Sequence, residues 1–117
     1  MIIGGGFTGS YCTKELEKDS RFDVILIDSK DYFEFTPGVL RVIVEPEQIK
    51  KIQALHKDYL AKSKFIKGEV TKISDKEVFI GARKIPFDYL VIASGSKYDV
   101  PIKENVVAAS RAKHLLE

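Results

Sequence analysis

The sequence predicts an α/β domain with a buried parallel sheet and a smaller antiparallel β-meander, on three observations. Gly4, Gly6 and Gly9 stand at the spacing G-x-G-x-x-G, directly after the apolar Met1-Ile2-Ile3 and before a helical pattern. Val24-Ile25-Leu26-Ile27 is an unbroken apolar run closed by Asp28, as a parallel strand buried on both faces requires. Between Phe65 and Pro86 the pattern shifts to short β segments separated by Ser74-Asp75-Lys76 and Gly81-Ala82, turns short enough to imply antiparallel pairing.

After the glycine turn, Gly9, Cys12, Thr13 and Leu16 fall on one helix face, while Lys14, Glu15, Glu17 and Lys18 lie elsewhere. In such a turn the first glycine permits the tight bend, the second lets backbone approach a pyrophosphate, and the third lets the helix pack close to the strand. Phosphate would sit on the free N–H groups of the helix N-terminus, where the macrodipole also favours negative charge. Asp28 lies 19 residues past Gly9, where a dinucleotide fold places the carboxylate that accepts hydrogen bonds from an adenosine ribose.

Lys30 is a candidate neighbour of the adenine or a phosphate, with a solvated surface charge as the plainer reading. Tyr32, Phe33 and Phe35 read first as packing residues, and Thr36-Pro37 sets a hydroxyl and a rigid bend where they suit the lining of a site. The run Val39-Leu40-Arg41-Val42-Ile43-Val44 fits helix or strand. Its Arg41 is read as snorkelling, paired, or holding an anion. Glu45-Pro46-Glu47 resembles a helix start, followed by Ile49, Ile52 and Leu55 at roughly helical spacing. His56 has no second histidine or cysteine at ligand spacing, so a structural or surface role is expected, not a metal. Asp88-Tyr89-Leu90-Val91-Ile92 reads as a second buried parallel strand. Its small-residue end, Ala93-Ser94-Gly95, should meet the same crevice as the glycine turn.

At 117 residues and 44% hydrophobic content the chain has the size and the apolar material of one domain. Nineteen Lys and Arg against 17 Asp and Glu give a net charge of +2, which makes no case for a nucleic-acid partner. A lone cysteine, Cys12, excludes an intrachain disulfide and is expected to pack against the sheet. With no apolar run near the ~20 residues of a membrane span and no signal-peptide pattern, a soluble, cytoplasmic protein is expected. Only Met1, Ile2 and Ile3 precede the first glycine, and a helix capped by Ser110 runs to Glu117 without a stop signal. These ends suggest a piece of a longer protein.

The blocks Gly4-Gly5-Gly6-Phe7-Thr8-Gly9, Asp28-Ser29-Lys30-Asp31-Tyr32-Phe33, Phe35-Thr36-Pro37, Gly68-Glu69-Val70 and Phe87-Asp88-Tyr89-Leu90-Val91-Ile92-Ala93-Ser94-Gly95-Ser96 resemble flavoproteins with two dinucleotide-binding domains. From Tyr32 to Glu45 the chain is most similar to type II NADH dehydrogenases and apoptosis-inducing-factor-2-like oxidoreductases within the pyridine nucleotide-disulfide oxidoreductase superfamily. The resemblance implies a Rossmann-like domain that binds FAD, with NAD(P)H as co-substrate and a quinone-like electron acceptor. It implies a pyrophosphate cradle of Gly4, Gly6 and Gly9, ribose on Asp28, adenine against the Val70 backbone, and a second FAD motif of Ala93, Ser94 and Gly95. Phe7, Thr8, Lys30 and Thr36 complete the expected cofactor residues. Ser94 stands where many relatives carry Thr, which keeps the hydroxyl. No cysteine occurs between Asp28 and Glu45, so dithiol chemistry is disfavoured.

On the same resemblance, residues 1–109 form the first segment of a discontinuous FAD domain, and 110–117 begin a connecting helix toward an NAD(P)H domain. A C-terminal part would complete the flavin site and carry any peripheral membrane contact. The fragment alone is expected to self-associate through an exposed sheet face and edge. Two other readings stay open at this point. One is a dinucleotide-binding signalling module without turnover. The other is the NAD-binding domain of an ordinary dehydrogenase, which the meander and Ala93-Ser94-Gly95 argue against.

Overall fold

The computed structural model describes residues 1–96; the helix expected from Ser110 lies outside them. In chain order the elements are β1 (Ile2–Ile3), α1 (Phe7–Leu16), β2 (Ile25–Asp28), β3 (Tyr32–Glu34), α2 (Val39–Val44), α3 (Ile49–Ile52), β4 (Gln53–Leu55), α4 (His56–Tyr59), β5 (Lys64–Lys67), β6 (Lys72–Ile73), β7 (Glu77–Ile80), β8 (Arg83–Pro86) and β9 (Val91–Ile92). A parallel sheet of order β5-β2-β1-β9 forms the centre. The chain winds outward from β1 through β2 to β5, then returns to add β9 on the other side of β1. That reversal creates a crevice at the carboxyl ends of the strands.

The register pairs Ile2 with Leu26 and Ile3 with Ile27, and the period-two alternation of a strand sends these pairs to opposite faces. On one face Ile2, Val24 and Leu26 are buried with Cys12, Leu16 and Phe65 packed around them, so α1 covers this side and Cys12 is a packing residue. On the other face Ile27 and Ile66 are buried against Val78 and Ile85. The antiparallel sheet β6-β7-β8 is therefore a third layer, turned at Ser74 and at Gly81 as its sequence predicts.

Several elements depart from expectation. Phe65 and Ile66 belong to the parallel sheet, opposite Leu26 and Ile27, and not to the meander. Their alternation fits a strand covered on both faces as well as it fits a hairpin. The helical spacing of Ile49, Ile52 and Leu55 stops at Ile52. Gln53 is extended (φ −117°, ψ 139°), and β4 pairs antiparallel with β3, Leu55 opposite Tyr32. A single helical turn has little stability of its own, so pairing with the strand of the buried Tyr32 prevails. The second parallel strand is not buried on both faces. β9 is an edge among the described residues, with Ile92 61% exposed. Both faces of the sheet carry a covering layer, and apolar side chains are exposed at that edge, on α2, where Leu40, Ile43 and Val44 face solvent, and on α1 and the loops, at Phe7, Tyr11, Phe22 and Phe35 among others. The run 39–44 is helical, and its exposed Arg41 pairs with Glu45 at 3.2 Å.

Glu17, which lies off the helix face of Gly9, Cys12, Thr13 and Leu16, is nonetheless only 8% exposed. Its carboxylate accepts hydrogen bonds from the N–H groups of Ala61, Lys62 and Ser63 and from Ser63 Oγ. The loop entering β5 is thereby tied to the C-terminal end of α1. Burial alone pushes this carboxyl up, but the Ser63 hydroxyl and the three N–H groups outweigh it and hold the group at about 2, below its ordinary 4.5. A depressed folded value means that ionised Glu17 stabilises the fold above the unfolded value, and that the contribution is lost as pH falls from about 4.5 toward 2. Glu17→Ala is expected to lower stability by about 2 kcal/mol at neutral pH. Thermal unfolding across this acid range should show the difference from wild type shrinking.

Candidate functional site

At the carboxyl ends of the parallel strands lies a cleft of about 180 Å³, lined by Gly4, Asp28, Gly68, Glu69, Val70 and Ser94 among others. Each comes from a segment that leaves a strand: β1 into the glycine turn, β2 into Ser29, β5 into Gly68, and β9 into Ser94. A larger cavity of about 640 Å³, lined by Met1, Asp23, Val24 and Tyr89, sits at the opposite, amino end of the sheet. Ligands of open α/β sheets bind beyond the carboxyl ends, so the smaller cleft is the candidate.

The glycines divide their work as the sequence suggests. Gly4 has φ +99°, in the left-handed region that glycine favours, and a Cβ there would collide with the Ala93 carbonyl. A Cβ on Gly9 would strike the Gly4 carbonyl oxygen, which makes Gly9 the close-packing position of α1 against the turn. Gly6 is different: a Cβ there would meet nothing within 4 Å. It is the N-cap of α1, with no side-chain cap and no acidic residue in the first turn. The first N–H groups of a ten-residue helix thus point past an open glycine without a side-chain acceptor. Such an end suits a phosphate.

Asp28 ends β2, 8% exposed, and lines the cleft. Its Oδ2 lies 2.9 Å from His56 Nε2, and Oδ1 makes no hydrogen bond among the described residues. Val70 borders the same cleft and packs on the core beside Ile27. Ala93 is fixed by its N–H donating to the Ile3 carbonyl at 2.7 Å, and Gly95 turns with φ +72°. The cleft therefore gathers Gly4, Asp28, Val70 and Ser94 from four separate stretches.

The remaining candidates stand apart from it. Phe7 and Thr8 open α1 on its exposed side, and Phe7 packs edge-on against Phe33 and Phe35 at centroid distances of 5.2 and 5.8 Å. Lys30 Nζ lies 5.6 Å from the Tyr32 ring centroid, a cation–π contact. Thr36 begins the 3-10 turn Thr36–Gly38. None of these four borders the cleft.

Sequence reasoning did not find the support beneath Asp28. His56 is fully buried, so its role is structural and not that of a surface residue. Its Nδ1 is 2.6 Å from Tyr59 OH, which is 2.8 Å from Ser10 Oγ, and Ser10 Oγ donates to the Gly5 carbonyl at 2.8 Å. Burial pushes the Tyr59 phenol above its ordinary value. The Gly5 backbone closes the loop, because a Cβ there would come within 2.6 Å of Asp28 Oδ2. The only hint in the sequence is the glycine at the middle position of the turn, where the motif permits any residue.

Residues 1–115 match the family described as pyridine nucleotide-disulphide oxidoreductase. Apoptosis-inducing factor homolog B of Dictyostelium discoideum is 40% identical over 104 residues, covering 88% of this chain and 26% of that protein. Demethylphylloquinone reductase NdbB of Synechocystis sp. is 32% identical over 114 residues, 86% of this chain and 28% of the relative. The solved sulfide:quinone oxidoreductase of Aquifex aeolicus superposes with a TM-score of 0.73 at 27% identity, over 97% of this chain and 29% of its own. The chain thus spans about a quarter of the length of the curated relatives it matches. With its winding order, glycine turn and carboxyl-edge cleft in agreement, the chain belongs to the pyridine nucleotide-disulphide oxidoreductase family.

Proposed function

We propose that the chain is the FAD-binding part of an NAD(P)H-dependent flavin oxidoreductase that delivers electrons to a quinone or similar acceptor. One observation carries the reading: the cleft joins the glycine turn, the Asp28 carboxylate, Val70 and Ser94, the segments expected to meet a flavin dinucleotide. Bound FAD would accept hydride from NAD(P)H and pass electrons on, and the protein's part is to hold and orient it. The N–H groups at the start of α1 would take the pyrophosphate beside Gly6. Asp28 would accept from the adenosine ribose, and the backbone at Val70 would border the adenine. Lys30 and Thr36 remain proposed contacts of a ligand longer than this cleft. The names of two relatives, a phylloquinone-type reductase and a sulfide:quinone oxidoreductase, support a quinone-like acceptor.

No helix among the described residues is long and apolar enough to cross a membrane. A peripheral contact with a quinone pool, made outside residues 1–96, is part of the proposal. The NAD-binding domain of an ordinary dehydrogenase is the weaker reading, since the meander lies against the sheet face and the segment leading into it sets Val70 beside the cleft.

Asp28→Ala in the full-length protein is expected to weaken FAD binding by about 1.5–3 kcal/mol, the cost of a lost hydrogen bond to a charged group. A fluorescence titration measures it. An unchanged affinity would remove Asp28, and with it this orientation of the dinucleotide, from the proposal.

A further inference from the structure

Beneath the ribose carboxylate runs a chain of polar groups whose protons can be counted. Ser10 Oγ donates to the Gly5 carbonyl, which uses its one hydrogen. Tyr59 OH must then be the donor in its 2.8 Å contact with Ser10 Oγ, and His56 Nδ1 must donate to the Tyr59 oxygen across 2.6 Å. A neutral imidazole protonated at Nδ1 would turn a lone pair at Nε2 toward Asp28 Oδ2, 2.9 Å away. Two facing lone pairs in a buried site repel, so a second proton lies between Nε2 and Oδ2. The His56–Asp28 pair is net neutral, and in either placement of that proton Oδ1 remains an acceptor.

We propose that His56 is a positioning residue for the adenosine ribose: it holds Oδ2, fixes the carboxyl plane, and offers Oδ1 to the ribose hydroxyls without a bare negative charge beside the pyrophosphate. The inference rests on the FAD reading above and deepens it. Tyr59 and Ser10 extend the same support to the Gly5 carbonyl. The ribose acceptor and the phosphate turn are thereby held as one unit, and the tight approach of Gly5 to the His56 ring leaves that unit little room to shift.

The test uses the full-length protein and two ligands, FAD and an FAD analogue lacking the adenosine 2′- and 3′-hydroxyls. His56→Leu should weaken FAD on the order of tenfold and leave the analogue's affinity unchanged, whereas His56→Gln, whose amide can still donate to Asp28, should restore most of the preference. If His56→Leu does not fold, Tyr59→Phe serves, with a smaller loss of the same hydroxyl preference expected. Equal losses on both ligands, or none, would overturn the positioning role and reduce His56 to a packing residue. A wild-type protein that binds neither ligand would instead overturn the FAD reading itself.

Discussion

Gly6→Val is expected to give a folded protein that purifies without flavin. The fold should tolerate the change because Gly6 has an ordinary φ of −77° and a Cβ there meets nothing within 4 Å. The space that costs the protein nothing is the space the pyrophosphate needs. A branched side chain there would block phosphate from the N–H groups at the start of α1. Losing two charge-assisted hydrogen bonds would cost about 3–6 kcal/mol of FAD affinity. The contrast with Gly9→Ala separates cofactor from fold, since any Cβ on Gly9 strikes the Gly4 carbonyl and must displace α1 or the turn. Circular dichroism, thermal unfolding and flavin content of the two variants provide the comparison. A Gly6→Val protein with stoichiometric FAD would show that this turn is not the phosphate loop.

The chain of 117 residues by itself is expected to oxidise no NADH above the background of free flavin. Hydride transfer requires two rings held about 3–3.5 Å apart, and the described residues form one carboxyl-edge crevice on one parallel sheet. The chain also spans only about a quarter of its matched relatives. FAD should be held weakly, since Gly6 and the start of α1 stand open to solvent. Ile92 at the β9 edge and Leu40, Ile43 and Val44 on α2 leave apolar surface exposed, which favours self-association. NADH oxidation with added FAD and a soluble quinone, together with sedimentation velocity, tests both points. A stable monomer with flavin-dependent turnover would contradict them.

The features legible in the sequence are those in which one residue type answers one local demand. Gly4 and Gly9 are required by a turn and by a close approach, Asp28 by the end of a buried strand, and the meander by its turns. Hidden from it were interactions whose partners are backbone groups or distant residues. Nothing in the sequence marks that the N–H groups of Ala61, Lys62 and Ser63 converge on Glu17. His56 looked isolated because Asp28 is 28 residues away in sequence and 2.9 Å away in the fold. The break at Gln53 was hidden for a related reason. Short apolar spacings fit either element, and it is pairing with β3 that decides between them.

The central claim is that this cleft serves a flavin that pyridine nucleotide reduces. An absorption spectrum of the full-length protein as purified, recorded before and after anaerobic addition of NADH or NADPH, tests it most directly. Flavin bands present at about one equivalent per chain and bleached by one of the two nucleotides are the predicted result. A colourless protein that acquires no flavin on incubation with FAD, or a flavin spectrum that neither nucleotide alters, would contradict it.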